Sequence, residues 1–523
     1  MCGHMPHLWT TPSCFSGSRE GKIERGKSYS TPGARERTHR ARATTGRQER
    51  ASLRDMAAEA SSQPQDLVTY SDPHLQTAGL VKFSPCGAYV AHAAGFKLLL
   101  REVDTLQIVQ LYCCIDEIEG IEWSCDSEYV LCSIQKRGTA QVWSLSNREW
   151  HCKIDEGPVG LAHARFSPDG RHVLATADFR LRITIWSLCD RSVFYIRFPK
   201  HVGKGLDFAP DGSVLALAER TNDKDSVGIF DPRGWKPIRQ FGVASIDLED
   251  LKWSPNSQVL AVIDTVLQYQ VLLYASTGEH LQTYRPYDDA LGVKTLAWHP
   301  HSHLLCIGSY DERARVLNSL TWQRLAELTH PERIRAAFSD DAVVWIEPEP
   351  SGQANGYLAQ RLPVDVPSQR PNPDKANPKV GVGLLSWSRG GKFLVTRNDN
   401  MPTALWIWDG ETLLLHSLLL QKASICDASW HPTKPLLAVA TGGSAVYMWS
   451  PQGCRVAPLP MAHELNVTSL EWNPNGDSLI LKDTDRFCAC FLDLPPDYEE
   501  EVEAPEAAGG PRAANADENI EVA

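Results

Sequence analysis

The chain has 523 residues, 42% of them hydrophobic and 22% charged, with a formal net charge of −12. No apolar run reaches the roughly 18 residues a membrane helix needs; Leu413 to Leu420 is broken by His416 and Ser417. The 14 cysteines contain no Cys-x-x-Cys pair, so reduced thiols packed in cores are expected instead of a zinc or disulfide framework.

Charge is segregated along the chain. Residues 1–54 carry 11 Lys/Arg against 4 Glu, and residues 495–523 carry 9 acids against one Arg, which leaves 55–494 at −11. Residues 1–60 are poor in aliphatic side chains and rich in Arg, Ser, Thr and Gly, the composition of a disordered basic leader. They contain a P-loop-like match, Gly21 to Ser28, but no buried strand precedes it and Pro32-Gly33 follows closely, so no nucleotide site is expected. The opening has no apolar h-region for secretion. Met56-Ala-Ala-Glu-Ala has the look of an ordinary start, and translation is expected to begin there.

From Leu67 onward short strands recur. Nine aromatic residues close an apolar-polar strand: Phe83, Trp123, Phe166, Phe208, Trp253, Trp298, Trp387, Trp430 and Trp472. Their spacing is 40–45 residues, except for an interval of 89 between Trp298 and Trp387. Each is followed by Ser-Pro-Asp-Gly or a variant, a turn signal. A second ending comes some 20 residues later: Val142-Trp143-Ser144, Ile185-Trp186-Ser187, Ile229-Phe230-Asp231, Ile407-Trp408-Asp409 and Met448-Trp449-Ser450. This period and these endings mark WD-repeat propeller blades. Ten of the 16 Trp residues occupy the two positions, so they are assigned to packing.

The double interval contains Ala336 to Ile346 and Tyr357 to Gln360, which suggests a degenerate tenth blade ahead of an exposed Pro-rich loop at 363–378. The expectation is an all-β WD-repeat β-propeller over 66–494, with nine clear blades and a tenth. It forms one large closed ring, two smaller rings being the alternative. The last repeat lacks its fourth strand, and Leu67 to Tyr70 has nothing of its own to pair with. Pairing the two closes the ring and removes an open edge. Residues 495–523 are expected to be a disordered acidic tail.

Motifs for chemistry fail on context. His299-Pro-His301-Ser-His303 occupies a turn that elsewhere holds Ser-Pro-Asp-Gly, which favours a turn over a metal site. Asn222 to Asp225 carries a Lys that spoils a calcium loop. The recurring Asp178, Asp264, Asp311 and Asp399 suit turn-fixing bonds to backbone amides. No enzyme activity, cofactor or metal is expected. The acidic body disfavours nucleic acid and leaves an RNA-linked propeller, a translation or ribonucleoprotein factor, as the alternative function.

Five stretches carry a more specific likeness: Glu149 to Gly157 (EWHCKIDEG), Ser167 to Cys189, Gly308 to Asp311, Ala376 to Leu384 (ANPKVGVGL) and Thr396 to Asn400, of which EWHCKIDEG and NPKVGVG fall outside repeat consensus. On these the chain, from about Leu80 to Leu492, resembles the WD-repeat protein eight family, the centrosomal WD-repeat protein encoded antisense to a tumour-protein gene. The resemblance implies a non-enzymatic scaffold in the cytoplasm, on the cytoskeleton at centrosomes, centriolar satellites and spindle poles. It implies pairing with a coiled-coil satellite protein, the synovial-sarcoma-breakpoint-interacting protein, and in fungi a bridge to a minus-end kinesin. The implied work is microtubule minus-end anchoring, spindle assembly and cilium formation; no membrane partner is implied. Candidate partner-binding residues are the non-consensus polar ones: Trp150, His151, Lys153 and Asp155, then Arg397, Asn398, Asp399 and Asn400.

Overall fold

The computed structural model describes residues 68–288, 290–335, 342–347, 357–372, 379–460 and 465–493. The leader with its P-loop-like match and Met56, the stretch 336–341, the end of the Pro-rich loop and the acidic tail lie outside the described residues.

Alternating short strands pair into nine blade sheets, counted as blades 1 to 9: seven are antiparallel sheets of four consecutive strands, one is widened by an inserted hairpin and the last takes its outer strand from the start of the described chain. Their innermost strands are Val81–Phe83, Gly120–Trp123, His163–Phe166, Leu206–Phe208, Asp250–Trp253, Val293–Trp298, Val382–Trp387, Asp427–Trp430 and Ser469–Trp472. Each ends on the aromatic residue that the spacing identifies. The second ending likewise terminates third strands, as in Thr139–Ser144, Arg182–Ser187 and Ala445–Ser450. Burial follows position in the blade. The second strand of blade 6, Leu304–Ser309, is buried throughout, whereas the outer strand of blade 4, Lys236–Gly242, is almost wholly exposed.

The Ser-Pro-Asp-Gly turn holds itself. In blade 3 the Ser167 hydroxyl accepts from the His172 amide at 3.3 Å, and Gly170 takes the left-handed φ of +66° that the turn requires. Ser84, Ser124, Ser254 and Ser388 accept in the same way, at 2.8–3.0 Å. Period-two strands joined by such turns bury both faces only when sheets stack, and the strand-ending tryptophans make the stacking directional. The indole of Trp123 donates to Lys82 O, Trp298 to Lys252 O, Trp430 to Ser386 O and Trp472 to Ser429 O, at 3.0–3.4 Å. In each case the acceptor is the residue before the matching aromatic one blade back. Burying one such ring contributes roughly 2–3 kcal/mol.

Every seam is bonded. Trp186 reaches Glu156 between blades 2 and 3, Arg165 lies over Phe208 between 3 and 4, Asp207 accepts from the Trp253 amide between 4 and 5, and Lys294 bonds Asp399 between 6 and 7. Val68–Tyr70 pairs with Leu492, Phe491 and Cys490 as the fourth strand of blade 9, and Asn473 Nδ2 donates to Gly87 O of blade 1 at 3.1 Å. One ring of nine blades results, which removes the two-ring alternative.

The tenth blade is corrected. Val343–Ile346 and Leu358–Arg361 form a hairpin, and Val343–Ile346 pairs in parallel with Leu415–Leu420, the fourth strand of blade 7. The insertion widens one blade to six strands. Its Trp345 is buried with Phe393 and Trp449 in the core between blades 7 and 8, and Val344 in the core between 6 and 7. The apolar alternation there is real, but its partner is a strand more than 50 residues away. Of the Pro-rich loop, the described residues are mostly exposed, with Val366 buried.

Candidate functional site

Two regions gather the residues that exceed the repeat pattern. The first is the seam between blades 6 and 7. Lys294 leaves the inner strand of blade 6 and bonds Asp399 Oδ2 at 2.6 Å and Val380 O at 2.8 Å. Asp399 Oδ1 accepts from Arg397 at 3.1 Å, and Arg397 also donates to Ile425 O at 2.7 Å. Asn398 and Asn400 are buried and donate to the Glu312 carboxylate at 3.2 and 2.6 Å. Gly381 has φ +82°, and a Cβ there would stand 2.5 Å from Ser309 O and Tyr310 Cα, so the Gly-Val-Gly stretch lets blade 7 approach the Gly308 to Asp311 turn. A cavity of about 550 Å³ opens beside this seam on the channel wall, lined by Lys252, Lys294, Tyr310, Gly383 and Leu385 among others.

Arg397, Asn398, Asp399 and Asn400 therefore do not form an open binding surface. Each makes a bond inward, to Lys294, Glu312 or Ile425 or within the cluster, and those three partners lie 25 to more than 100 positions away, although Arg397 Nε and Asn400 Oδ1 are buried without a partner. Asp264 does accept from the amides of Ile246, Asp247 and Thr265, the turn-fixing role expected of it, while Asp311 and Asp399 form ion pairs. Burial would raise Asp311, but Arg315 and Ser309 outweigh it and hold the carboxyl below its ordinary range.

Of the histidine trio, His299 is buried and bonded into the turn, while His301 and His303 are exposed. His299 Nε2 faces Gly391 O at 3.2 Å and Nδ1 faces the His301 amide at 3.1 Å, which places the ring proton on Nε2 and leaves neither nitrogen free. Burial, reinforced by His303, lowers its pKa to about 4. His431 repeats the arrangement on Gly476 O at 3.1 Å, and burial lowers it to about 4 as well. Among the described residues no three His, Cys, Asp or Glu side chains are grouped to hold a metal.

The second region is the outer corner of blades 2 and 3. Trp150 is half-buried against Tyr129 (ring centroids 4.8 Å apart), and His151 stacks on Trp143 at 5.3 Å. Lys153 and Asp155 are exposed on the outer strand His151–Asp155 and pair at 3.0 Å. The Lys153 ammonium and the Gly157 amide hold the Asp155 carboxyl below its ordinary range. The residue the pattern missed is Glu156. It is buried, and its carboxylate accepts from Thr184 Oγ1 at 2.9 Å and Trp186 Nε1 at 2.7 Å across the seam. The EWHCKIDEG stretch thus has an open polar edge and a buried anchor. The two sets of candidate residues sit on different, non-adjacent blades.

The family model for the WD domain, G-beta repeat, matches residues 278–318, the end of blade 5 and most of blade 6. Mouse WD repeat-containing protein WRAP73 is 44% identical over 447 residues, which covers 82% of this chain and 96% of the relative. The chain belongs to the WRAP73, or WD-repeat protein eight, family. An uncharacterized WD repeat-containing protein of Schizosaccharomyces pombe is 24% identical over 375 residues, 68% of this chain and 75% of that protein. Among solved structures, the C-terminal WD40 domain of Sif2 aligns at a TM-score of 0.46 and 10% identity, covering 82% of this chain and 99% of that one. As a member of the WRAP73 family, the chain is a WD-repeat propeller of the protein-interaction scaffold class.

Proposed function

We propose that this chain is a non-enzymatic adaptor at centrosomes, centriolar satellites and spindle poles. It binds a coiled-coil satellite protein of the synovial-sarcoma-breakpoint-interacting type, and through it supports minus-end anchoring, spindle assembly and cilium formation. A minus-end kinesin is the second partner in this scheme. The observation carrying the proposal is the relation to WRAP73 at 44% identity over nearly the whole of that protein. A closed ring with every seam bonded adds a physical reason, because a rigid frame presents rim loops for binding at little ordering cost.

Affinity purification from dividing cells tests it. A coiled-coil centrosomal protein recovered in stoichiometric yield is the expected result. Ribosomal proteins or RNA that disappear on nuclease treatment would overturn it in favour of the RNA-linked reading. Fluorescent fusions should concentrate at spindle poles in mitosis, and a diffuse signal at native expression level counts against the proposed location.

A further inference from the structure

The outer corner of blade 3 carries a feature that ring architecture does not require. The turn between its second and third strands, Asp178–Arg180, places Phe179 at φ +58° and Arg180 at φ +57°. The equivalent turn of blade 4 uses Asn222 and Asp223 at φ +51° and +59°, residue types that enter this conformation readily. A phenylalanine and an arginine do not, and a bulky side chain at positive φ is an outlier. Phe179 gains no packing in return, since it is 90% exposed. Close by, Phe198 sits at φ +61° and is also exposed, as are Leu181 and Tyr195. Hydrogen bonds to backbone carbonyls hold these residues together: the Phe198 amide donates to Leu181 O at 3.3 Å, and the Arg180 side chain donates through Nη1 to Lys200 O at 2.9 Å.

The charge there is only partly matched. Arg182 and Arg197 stand directly opposite each other on adjacent strands, a like-charge pair that costs stability. Arg182 lies over the Tyr195 ring at 4.9 Å, and its Nε is buried without a partner. It pairs with one carboxylate, the buried Glu156 at 3.5 Å, which also accepts from Thr184 and Trp186. Arg197 has no ion pair among the described residues. In blade 4, by contrast, Lys200 and Arg220 are neutralised by Asp225 and Asp247. Strained, exposed aromatics beside two facing arginines that share a single buried carboxylate leave room for a complement of one definite kind.

We infer that this corner docks an acidic amphipathic segment of a partner protein. Phe179, Leu181 and Phe198 cover its apolar side chains, and Arg182 and Arg197 take its carboxylates. The inference deepens the scaffold proposal and rests on it. Bound carboxylates would relieve the repulsion between the arginines, and buried apolar contact would offset the backbone strain.

Photo-cross-linking in the full chain tests it, with benzoylphenylalanine at position 179 and, as control, at Leu320, which is 87% exposed on a turn of blade 6. The expected result is a protein cross-link from position 179 at least tenfold above the control. It should map to a segment in which Asp or Glu flanks apolar residues, and Arg197→Glu should abolish it. No excess over the control, a cross-link to RNA, to a second copy of this chain or to a basic segment, or a yield unmoved by Arg197→Glu would each overturn the inference. A companion variant, Phe179→Gly, should raise the thermal midpoint by releasing the left-handed strain while reducing cross-linking from a probe at Phe198; a lowered midpoint would show the turn to be architectural. If Arg197→Glu still recovers the centrosomal partner in full, the site fails and the scaffold proposal stands. If the unaltered chain recovers none, the scaffold proposal itself fails.

Discussion

The seam between blades 6 and 7 and the corner of blades 2 and 3 are built from the same kind of residues and end in opposite states. Both depart from repeat consensus, and both mix arginine, carboxylate and aromatic side chains. At the seam the charges meet partners: Lys294 with Asp399, Arg397 with Asp399, and Glu312 with Asn398 and Asn400. At the corner, Arg182 and Arg197 face each other with one carboxylate between them, the buried Glu156 on Arg182, while Arg197 has no ion pair among the described residues and Phe179 faces solvent. A polar residue that breaks a repeat pattern is therefore evidence of a special contact. Whether that contact is another blade or another molecule depends on partners far away in the chain.

The largest expected effect that separates the two regions is acidification. His299 and His330 at the 6/7 seam and His431 at the 8/9 seam are buried, and burial lowers each to about 4 from an ordinary 6.5. The folded form thus binds fewer protons than the unfolded form between those values. Stability is intact above pH 6.5 and is lost progressively as pH falls toward 4. Hydrogen exchange across this window should show the seam amides of blades 6–7 and 8–9 losing protection first, with the corner of blade 3 lagging. Uniform loss would erase the distinction.

Next in size is Asp399→Ala. It leaves the Lys294 ammonium and the Arg397 guanidinium facing each other with little water, which should cost about 3 kcal/mol, near the lower end for breaking a buried pair. Denaturant unfolding checks this, and a loss below 1 kcal/mol would mean that the seam is wetter than its geometry indicates. Glu156→Ala should cost less, about 1–3 kcal/mol, by leaving the Thr184 hydroxyl and Trp186 indole unsatisfied; Glu156→Gln should retain part of that. Smallest is the double reversal Lys153→Glu with Asp155→Lys. The pair is exposed at 3.0 Å, and its inversion should leave unfolding within about 0.5 kcal/mol of the unaltered chain. A larger shift would move this edge into the architectural class with the seam.

Much of the frame was legible because it is written locally. A strand-ending aromatic, a Ser-Pro-Asp-Gly turn and a Trp-Ser or Trp-Asp ending each report on neighbours within about 20 residues, and all nine aromatic positions end their strands where the spacing places them. Closure by Val68–Tyr70 was legible by subtraction, since one strand lacked a partner and one blade lacked a strand. Misread features depend on distance. Val343 to Ile346 alternates like any strand, but nothing local says that it joins Leu415–Leu420 in parallel. Arg397 to Asn400 look like surface until Glu312 and Lys294 arrive from blade 6. Phe179 was invisible for another reason: composition does not reveal φ, although a phenylalanine where blade 4 has asparagine was a signal that could have been weighed.

The strand Val68–Tyr70 also sets an order of events during synthesis. It emerges first, yet its partner, Arg486–Leu492, is made more than 400 residues later. Until then Val68–Tyr70 has no strand opposite it, and blade 1 lacks the neighbour that covers Val81 and Phe83. The early blades can pair within themselves as they appear, because their strands are consecutive. The contact with Val68–Tyr70 has the highest sequence separation among the described residues, the kind of pairing that closes late in folding. Such a ring has to be shielded in its open form, and its yield in a cell depends on how long the first strand stays free of other edges.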